Sequence, residues 1–305
     1  MTSPAIRTAD LSKHYGDFVA LKDLNLEVHT GEIFGFLGPN GAGKSTAIKA
    51  LLDQVRPTYG SASVLGMDAH RDAKAIRARI GYIPGDLALY PRLTGRATLN
   101  YFARLRGGVR PAYIEELAER FEADLSKKVG EYSTGNRQKI GLIQAFMHQP
   151  ELLILDEPNS GLDPLLQEVF HQLLEEVRDE GRTIFLSSHT LSEVERVADR
   201  VGIIKDGSLI VVERVDALKR KAVRHVDFEF AGPVEGSSLR RIDNVLEVVT
   251  EDRRARVSFE GDVDALLRAV VGAGERVISM TSRESDLEEI FLTYYRTPEQ
   301  VTSAE

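Results

Sequence analysis

Two stretches of this chain hold side chains at spacings that suit phosphate chemistry. Residues 38–46 read GPNGAGKST, which fits G-x-x-x-x-G-K-S/T. Glycines in such a loop let backbone N–H groups approach phosphates, and a helix starting at its end adds a positive dipole end. Gly38, Asn40, Gly41, Ala42, Gly43, Lys44, Ser45 and Thr46 are therefore the expected cradle for a nucleoside triphosphate. Lys44 is the point charge for the β- and γ-phosphates, and the Ser45 hydroxyl is a ligand for Mg²⁺. Residues 152–157 read LLILDE, an apolar strand ending in two acids. Asp156, at a strand end near the phosphate loop, suits a role holding Mg²⁺ through water. Glu157 suits the general base that polarises an attacking water. A helix-capping acid pair is the weaker reading, because Pro158 follows and the strand before is wholly apolar.

Those groups need a scaffold, and the apolar pattern supplies one. Residues 33–37 (IFGFL) read as a buried strand feeding the loop, and the helix after it carries Ile48, Leu51 and Leu52 on one face. Before it, Ala20, Leu21, Leu24, Leu26 and Val28 predict antiparallel strands. Residues 93–149 are helical in pattern, broken near 107–111 and around Gly130, with Ser133 opening a helix that runs to His148. LLIL (152–155) and TIFLSS (183–188) are continuous apolar strands with a helix between them, as in a parallel α/β sheet. His189 follows the second of these, at the carboxyl end where α/β ligands bind. Residues 202–212 form a hairpin with an Asp-Gly turn. After the basic stretch LKRKAVRH (218–225) the character changes to short alternating strands, an amphipathic helix at DVDALLRAVVGAG, a strand at VISMT and a closing helix at SDLEEIFLTYY. With SSLRRI (237–242) also helical, the order is βαββαβ plus a helix, which suggests a ferredoxin-like sandwich.

Bulk properties narrow the classes. No run approaches the roughly 18 apolar residues of a membrane span, so the sequence is not expected to cross a bilayer. The N-terminus lacks the basic start and apolar core of a secretory signal. The absence of cysteine excludes disulfides and thiolate metal sites and fits a cytosolic chain. A formal net charge of −8 argues against nucleic acid as the main partner.

A third string decides between the many loops of this kind. Ser133-Thr134-Gly135-Asn136, within YSTGNRQ, stands ahead of the Asp-Glu strand end and of Ser160-Gly161-Leu162-Asp163. This ordered set resembles the ATP-binding cassette of ABC transporters over residues 1 to about 222. The resemblance implies a P-loop α/β cassette with an antiparallel β subdomain and a helical subdomain at about 86–149. It also implies that Ser133, Thr134, Gly135 and Asn136 form the signature that meets ATP bound by a second cassette. The usual string is Leu-Ser-Gly-Gly-Gln; Tyr132, Thr134 and Asn136 depart from it, while Ser133 and Gly135 remain. Asp163 is implied as the polar contact between cassettes, His189 as the group that touches the γ-phosphate and orients Glu157, and Tyr15 as a ring that stacks on adenine. The family's glutamine after a strand like GYIP is missing: Gly85 stands there, followed by Asp86, the candidate substitute at the metal through a water.

Residues 223–297, ahead of a tail at 298–305, resemble the accessory domain of ATP-binding subunits in ABC-2-type exporters, the branch of the daunorubicin-resistance pumps. The implied protein is an ATP hydrolase with Mg²⁺ as cofactor. It would sit at the cytoplasmic face of the membrane, bound to an ABC-2-type permease and to a second copy of the cassette, and energise efflux of a drug, lipid or other hydrophobic compound. A soluble cassette ATPase of DNA repair, chromosome organisation or translation is the alternative, disfavoured because the stretch between Thr46 and Ser133 is too short for a long coiled coil. A module that binds ATP without cleaving it is disfavoured by Glu157 and His189. The apolar residues of 87–95 and the helix after it, with Leu99 and Phe102 assigned to the core, are expected to include the permease docking surface.

Overall fold

The computed structural model describes residues 4–221, 224–259, 263–272 and 276–283, and these divide at Glu213 into two compact units. The first unit opens with strands β1 (Ile6–Tyr15), β2 (Phe18–Leu24), β3 (Glu27–Val28) and β4 (Ile33–Leu37), then helix α1 (Lys44–Leu51). Strands β5 (Tyr59–Val64) and β6 (Met67–Asp68), helix α2 (Ala73–Arg79) and strand β7 (Ile80–Ile83) follow. Next come helices α3 (Gly95–Leu105), α4 (Pro111–Arg120) and α5 (Thr134–Phe146), then strand β8 (Leu152–Asp156). The unit closes with helix α6 (Pro164–Asp179), strand β9 (Thr183–Ser188), helix α7 (Leu191–Val197) and the hairpin β10 (Arg200–Lys205) to β11 (Ser208–Arg214).

Two sheets result. The antiparallel one runs β2–β1–β5–β6, with β3 on β1, and the central one runs β11–β10–β4–β9–β8–β7. In the central sheet β10, β4, β9, β8 and β7 are parallel neighbours. Every residue of β4, β8 and β9 is buried, which is why these segments read as unbroken apolar runs rather than alternations. Across β4 and β9, Phe34 stacks on Phe185 with ring centroids 5.9 Å apart, and Phe36 packs tilted against the same ring at 5.4 Å. Ala47, Ile48, Ala50 and Leu51 of α1 share a core with Ile6, Leu21 and Val64 of the antiparallel sheet and with Phe36 and Ile154 of the central one. The phosphate loop between β4 and α1 is thus held from both sides. The Asp206-Gly207 turn has φ of 48° and 77°, as a two-residue type I′ hairpin requires.

The helical segment begins and stops on local signals. Thr94 caps α3, accepting from the Ala97 N–H at 3.1 Å, and Pro111 stands in the first turn of α4. Ser133 caps α5, which ends at Phe146, short of the expected His148. Leu99 is fully buried as expected, but Phe102 is only half-buried. Gly95, Thr98, Leu99 and Ala103 form the buried stripe of α3, and Phe102 lies at its edge with its ring against Tyr101.

His148, after α5, has Nε2 3.0 Å from the Ile80 carbonyl and a buried Nδ1 with no well-formed hydrogen bond among the described residues. Burial, with the Arg106 guanidinium adding to it, pushes its pKa from 6.5 down to about 4. The unfolded chain therefore takes up this proton first. Stability is expected to fall as pH drops from about 6.5 to about 4 and to level off below, as far as this group is concerned. Denaturant midpoints across that range should decline more steeply in the wild type than in His148→Gln. Equal slopes would show that the ring charges freely in the folded state.

The second unit has helix α8 (Val215–Lys221), strand β12 (Arg224–Phe230), helix α9 (Gly236–Leu239), strands β13 (Val245–Glu251) and β14 (Arg254–Phe259), helix α10 (Val263–Gly272) and strand β15 (Val277–Arg283). From β12 onward the order is βαββαβ, and the antiparallel sheet runs β13–β14–β12–β15, the arrangement of a split βαβ sandwich. Val226, Phe228, Phe230, Val257, Leu266 and Val270 belong to its own core. The division at Glu213 places α8 in this unit, ahead of the boundary expected at 222. The predicted closing helix at SDLEEIFLTYY and the tail at 298–305 lie outside the described residues.

Candidate nucleotide site

Register in the central sheet decides what converges. Ile83 of β7 is level with Leu155, Asp156 of β8 with Ser187 of β9, and Ser188 with Leu37 of β4. The carboxyl ends of four neighbouring parallel strands therefore deliver Gly85, the Asp156-Glu157 pair, His189 and the phosphate loop to one rim, where α/β sheets bind ligands.

The loop has the backbone its sequence demands. Gly43, the N-cap of α1, has φ of 109°, and a Cβ there would lie 2.6 Å from the Ala20 carbonyl. Both facts require glycine. A cavity of about 270 Å³ opens over the loop, lined by Pro39, Asn40, Gly41, Gly43, Lys44, Ser45 and Thr46, with Glu157, Phe18 and Ala20 completing the wall. The Lys44 ammonium donates to the carbonyls of Gly38 (2.6 Å) and Pro39 (3.2 Å) and lies 3.6 Å from Glu157 Oε1. Glu157 Oε2 lies 2.8 Å from His189 Nδ1. Glu157 has φ of 50°, a left-handed conformation that costs a non-glycine residue energy and is held here by its N–H to the Ser187 carbonyl at 3.1 Å. Ser188 brackets His189: its hydroxyl donates to Glu193 at 3.0 Å and accepts from the Thr190 N–H at 2.9 Å. Lys44, Glu157 and His189 thus meet at one carboxylate.

Asp156 is 4% exposed, and the Ser187 hydroxyl donates to its Oδ1. A buried carboxylate at the end of an apolar strand, on the same rim as a phosphate loop that carries a serine hydroxyl, offers oxygen donors of the kind a hard divalent cation takes, although Glu157 and not Asp156 lines the cavity over that loop. Asp86 is exposed next to Gly85.

Ser133, Thr134 and Asn136 are exposed at the start of α5, where Ser133 accepts from the Asn136 N–H at 3.3 Å. Gly135 meets the Gly161 carbonyl so closely that a Cβ would lie 2.3 Å from it, and buried Gln138 donates to the Pro158 carbonyl at 2.8 Å. Helix α5 is therefore tied to the loop that follows Glu157 in the same chain. Asp163 is exposed and caps α6, accepting from the Leu166 N–H at 3.0 Å. Tyr15 is 48% exposed beside Lys13, whose ammonium lies 4.9 Å from the ring centre.

Three participants were not foreseen: Phe18 on the cavity wall, Ser187 on Asp156, and Gln138 under Pro158. Phe18 pairs with Tyr15 across the β1–β2 hairpin, and a second aromatic three residues after the first was the available signal. Ser187 and Gln138 gave none, because their partners come from other elements.

The family model described as ABC transporter matches residues 21–160. The bacitracin transport ATP-binding protein BcrA of Bacillus licheniformis is 36% identical over 95% of this chain and 97% of its own length. This chain belongs to the ABC transporter family. A solved ATP-binding subunit of an ABC transporter superposes with TM-score 0.65 at 32% identity, covering 71% of this chain and 92% of the other. The dimeric MJ0796 cassette, at 24% identity and TM-score 0.64 over 69% of this chain and 98% of its own, shares the fold. The reading as an ATP-binding and ATP-hydrolysing exporter subunit stands over that of a soluble repair, chromosome or translation ATPase.

Proposed function

We propose that the rim described above binds Mg·ATP and hydrolyses it by in-line attack of water on the γ-phosphate. The observation that carries this is the convergence of Lys44, Glu157 and His189 over the loop, at 3.6 and 2.8 Å from the same carboxylate. The loop amides and Lys44 take the phosphates, and Tyr15, with Phe18 beside it, offers a platform for the base. Glu157 accepts the proton of the water, and His189 fixes its carboxylate and reaches the γ-phosphate. Ser45 and Asp156 would hold Mg²⁺, which when bound neutralises charge on the phosphate oxygens. Catalysis here is mainly positional and electrostatic.

The same reading makes each site composite: one chain's loop with the Ser133 end of α5 from a second copy, and Asp163 facing across. It places the protein at the cytoplasmic face of a membrane, driving efflux through an ABC-2-type permease. No helix among the described residues is long and apolar enough to cross a membrane. Kinship with bacitracin transport proteins puts bacitracin beside drugs and lipids among the cargo candidates. The unit that begins at Arg214 has its own core and carries no phosphate loop, which supports an accessory role for residues 223–297.

Docking is assigned to the segment after Gly85. Leu87 is an anchor, seated so close to Gly141 that a Cβ there would lie 2.5 Å from Leu87 Cδ2. Tyr90, 53% exposed, packs edge-on against Tyr101 at 5.8 Å, and Tyr101 is 44% exposed. Such a patch suits an apolar helix of a membrane partner. Leu89→Asp with Tyr90→Asp should abolish co-purification with the permease while ATP binding by the isolated protein is unchanged. Retained co-purification and transport with both charges in place would refute the docking surface.

A further inference from the structure

The missing glutamine leaves one question about the metal side of the site: what orients Asp156. Its carboxylate is almost wholly buried, so its two oxygens are fixed by their surroundings rather than by water. Ser187 is level with Asp156 on the adjoining parallel strand and is fully buried, and its hydroxyl donates to Asp156 Oδ1. The other oxygen, Oδ2, lies on the Gly85 side. A Cβ added at Gly85 would stand 3.3 Å from Oδ2 and 3.5 Å from Cγ. Gly85 has no positive φ, so its backbone does not call for glycine. The requirement is space beside the carboxylate.

We propose that Ser187 is a positioning residue for the metal: it engages Oδ1 and so presents Oδ2 toward the Mg²⁺ of Mg·ATP, while the bare Cα of Gly85 keeps the approach to Oδ2 open. The pair takes over the orienting work that a glutamine side chain at position 85 would do. This inference rests on the reading that Asp156 serves the metal. It explains two features at once. A serine stands fully buried one residue before the end of a strand, after the apolar run 184–186, and a glycine stands where its conformation does not need one. Groups that orient a metal-side carboxylate contribute strongly to affinity even without touching the ion, on the order of 10- to 100-fold.

The test uses the full chain with a non-hydrolysable ATP analogue and Mn²⁺ as the probe, read by electron paramagnetic resonance. Nucleotide affinity in EDTA and the thermal midpoint are controls for loop and fold. Ser187→Ala should weaken Mn²⁺ binding to the protein–nucleotide complex by roughly 10- to 100-fold, with metal-free nucleotide affinity unchanged. Ser187→Thr, which keeps the hydroxyl, should recover most of that loss. Gly85→Ala, at an exposed position, should weaken Mn²⁺ binding with the fold intact, and remains informative if Ser187→Ala folds poorly. Asp156→Asn separates the two readings. If Asp156→Asn leaves Mn²⁺ affinity unchanged, the metal role of Asp156 itself is wrong. If Asp156→Asn weakens the metal but folded Ser187→Ala and Gly85→Ala bind Mn²⁺ like the wild type, the positioning role is overturned.

Discussion

Glu157→Gln is expected to lower ATP turnover by about 10² to 10⁴-fold while ATP binding stays close to that of the wild type. The amide keeps the shape of the carboxylate but cannot accept the proton of the attacking water. Binding should survive because the Lys44 ammonium does not depend on Glu157 for its place. It donates to two loop carbonyls, at 2.6 and 3.2 Å, and its distance to Glu157 Oε1 is longer at 3.6 Å. His189 lies at hydrogen-bond distance from the same carboxylate, so the substitution changes that contact without leaving a void. With hydrolysis blocked, the ATP-closed pair of cassettes should accumulate. Light scattering should show twice the monomer mass in ATP and monomer mass without it. Near-normal phosphate release by this variant would remove Glu157 from the role of base.

How much of this was legible in the sequence follows from where each constraint originates. The loop at 38–46 and the acids at 156–157 were readable because local backbone demands fix them: glycine at a positive φ, a helix start, a strand buried on both faces. Ser133 was readable as a cap for the same reason. The helical segment was readable from its breaks, although the end of α5 and the half-buried Phe102 were set by packing against neighbours that periodicity does not contain. Ser187 and Gln138 are the instructive omissions. Ser187 looks like any polar strand residue until parallel register places it level with Asp156. Gln138 looks like a surface residue of an amphipathic helix until the loop after Glu157 folds over it. Both act through long-range pairing, which a single sequence does not state. Gly85 shows in the sequence only as a missing side chain, and the position of Asp156 Oδ2 gives that absence a physical content.

Lys44→Ala and Ser133→Arg should both abolish turnover, but for reasons that a binding measurement separates. Lys44 is 6% exposed in the wall of the cavity, and on the proposed reading its ammonium is the point charge for the β- and γ-phosphates. Charge-assisted hydrogen bonds contribute about 1.5–3 kcal/mol each, so its loss should lower ATP affinity on the order of 10²-fold in the isolated chain. Ser133 is exposed at the start of α5 and is not among the residues that line its own chain's cavity. Arginine there removes a helix cap, worth about 1 kcal/mol of stability, and on the composite-site reading puts a bulky side chain where the second copy's nucleotide would dock. Calorimetry at low protein concentration should therefore show wild-type ATP affinity for Ser133→Arg and a large loss for Lys44→Ala. Ser133→Ala controls for the cap alone: it should share the modest loss of stability and bind ATP normally as a monomer. Combining Ser133→Arg with Glu157→Gln should also prevent the doubled mass that Glu157→Gln alone gives in ATP. Equal loss of monomer affinity in Lys44→Ala and Ser133→Arg would mean that Ser133 serves the nucleotide of its own chain, and the composite site would have to be abandoned.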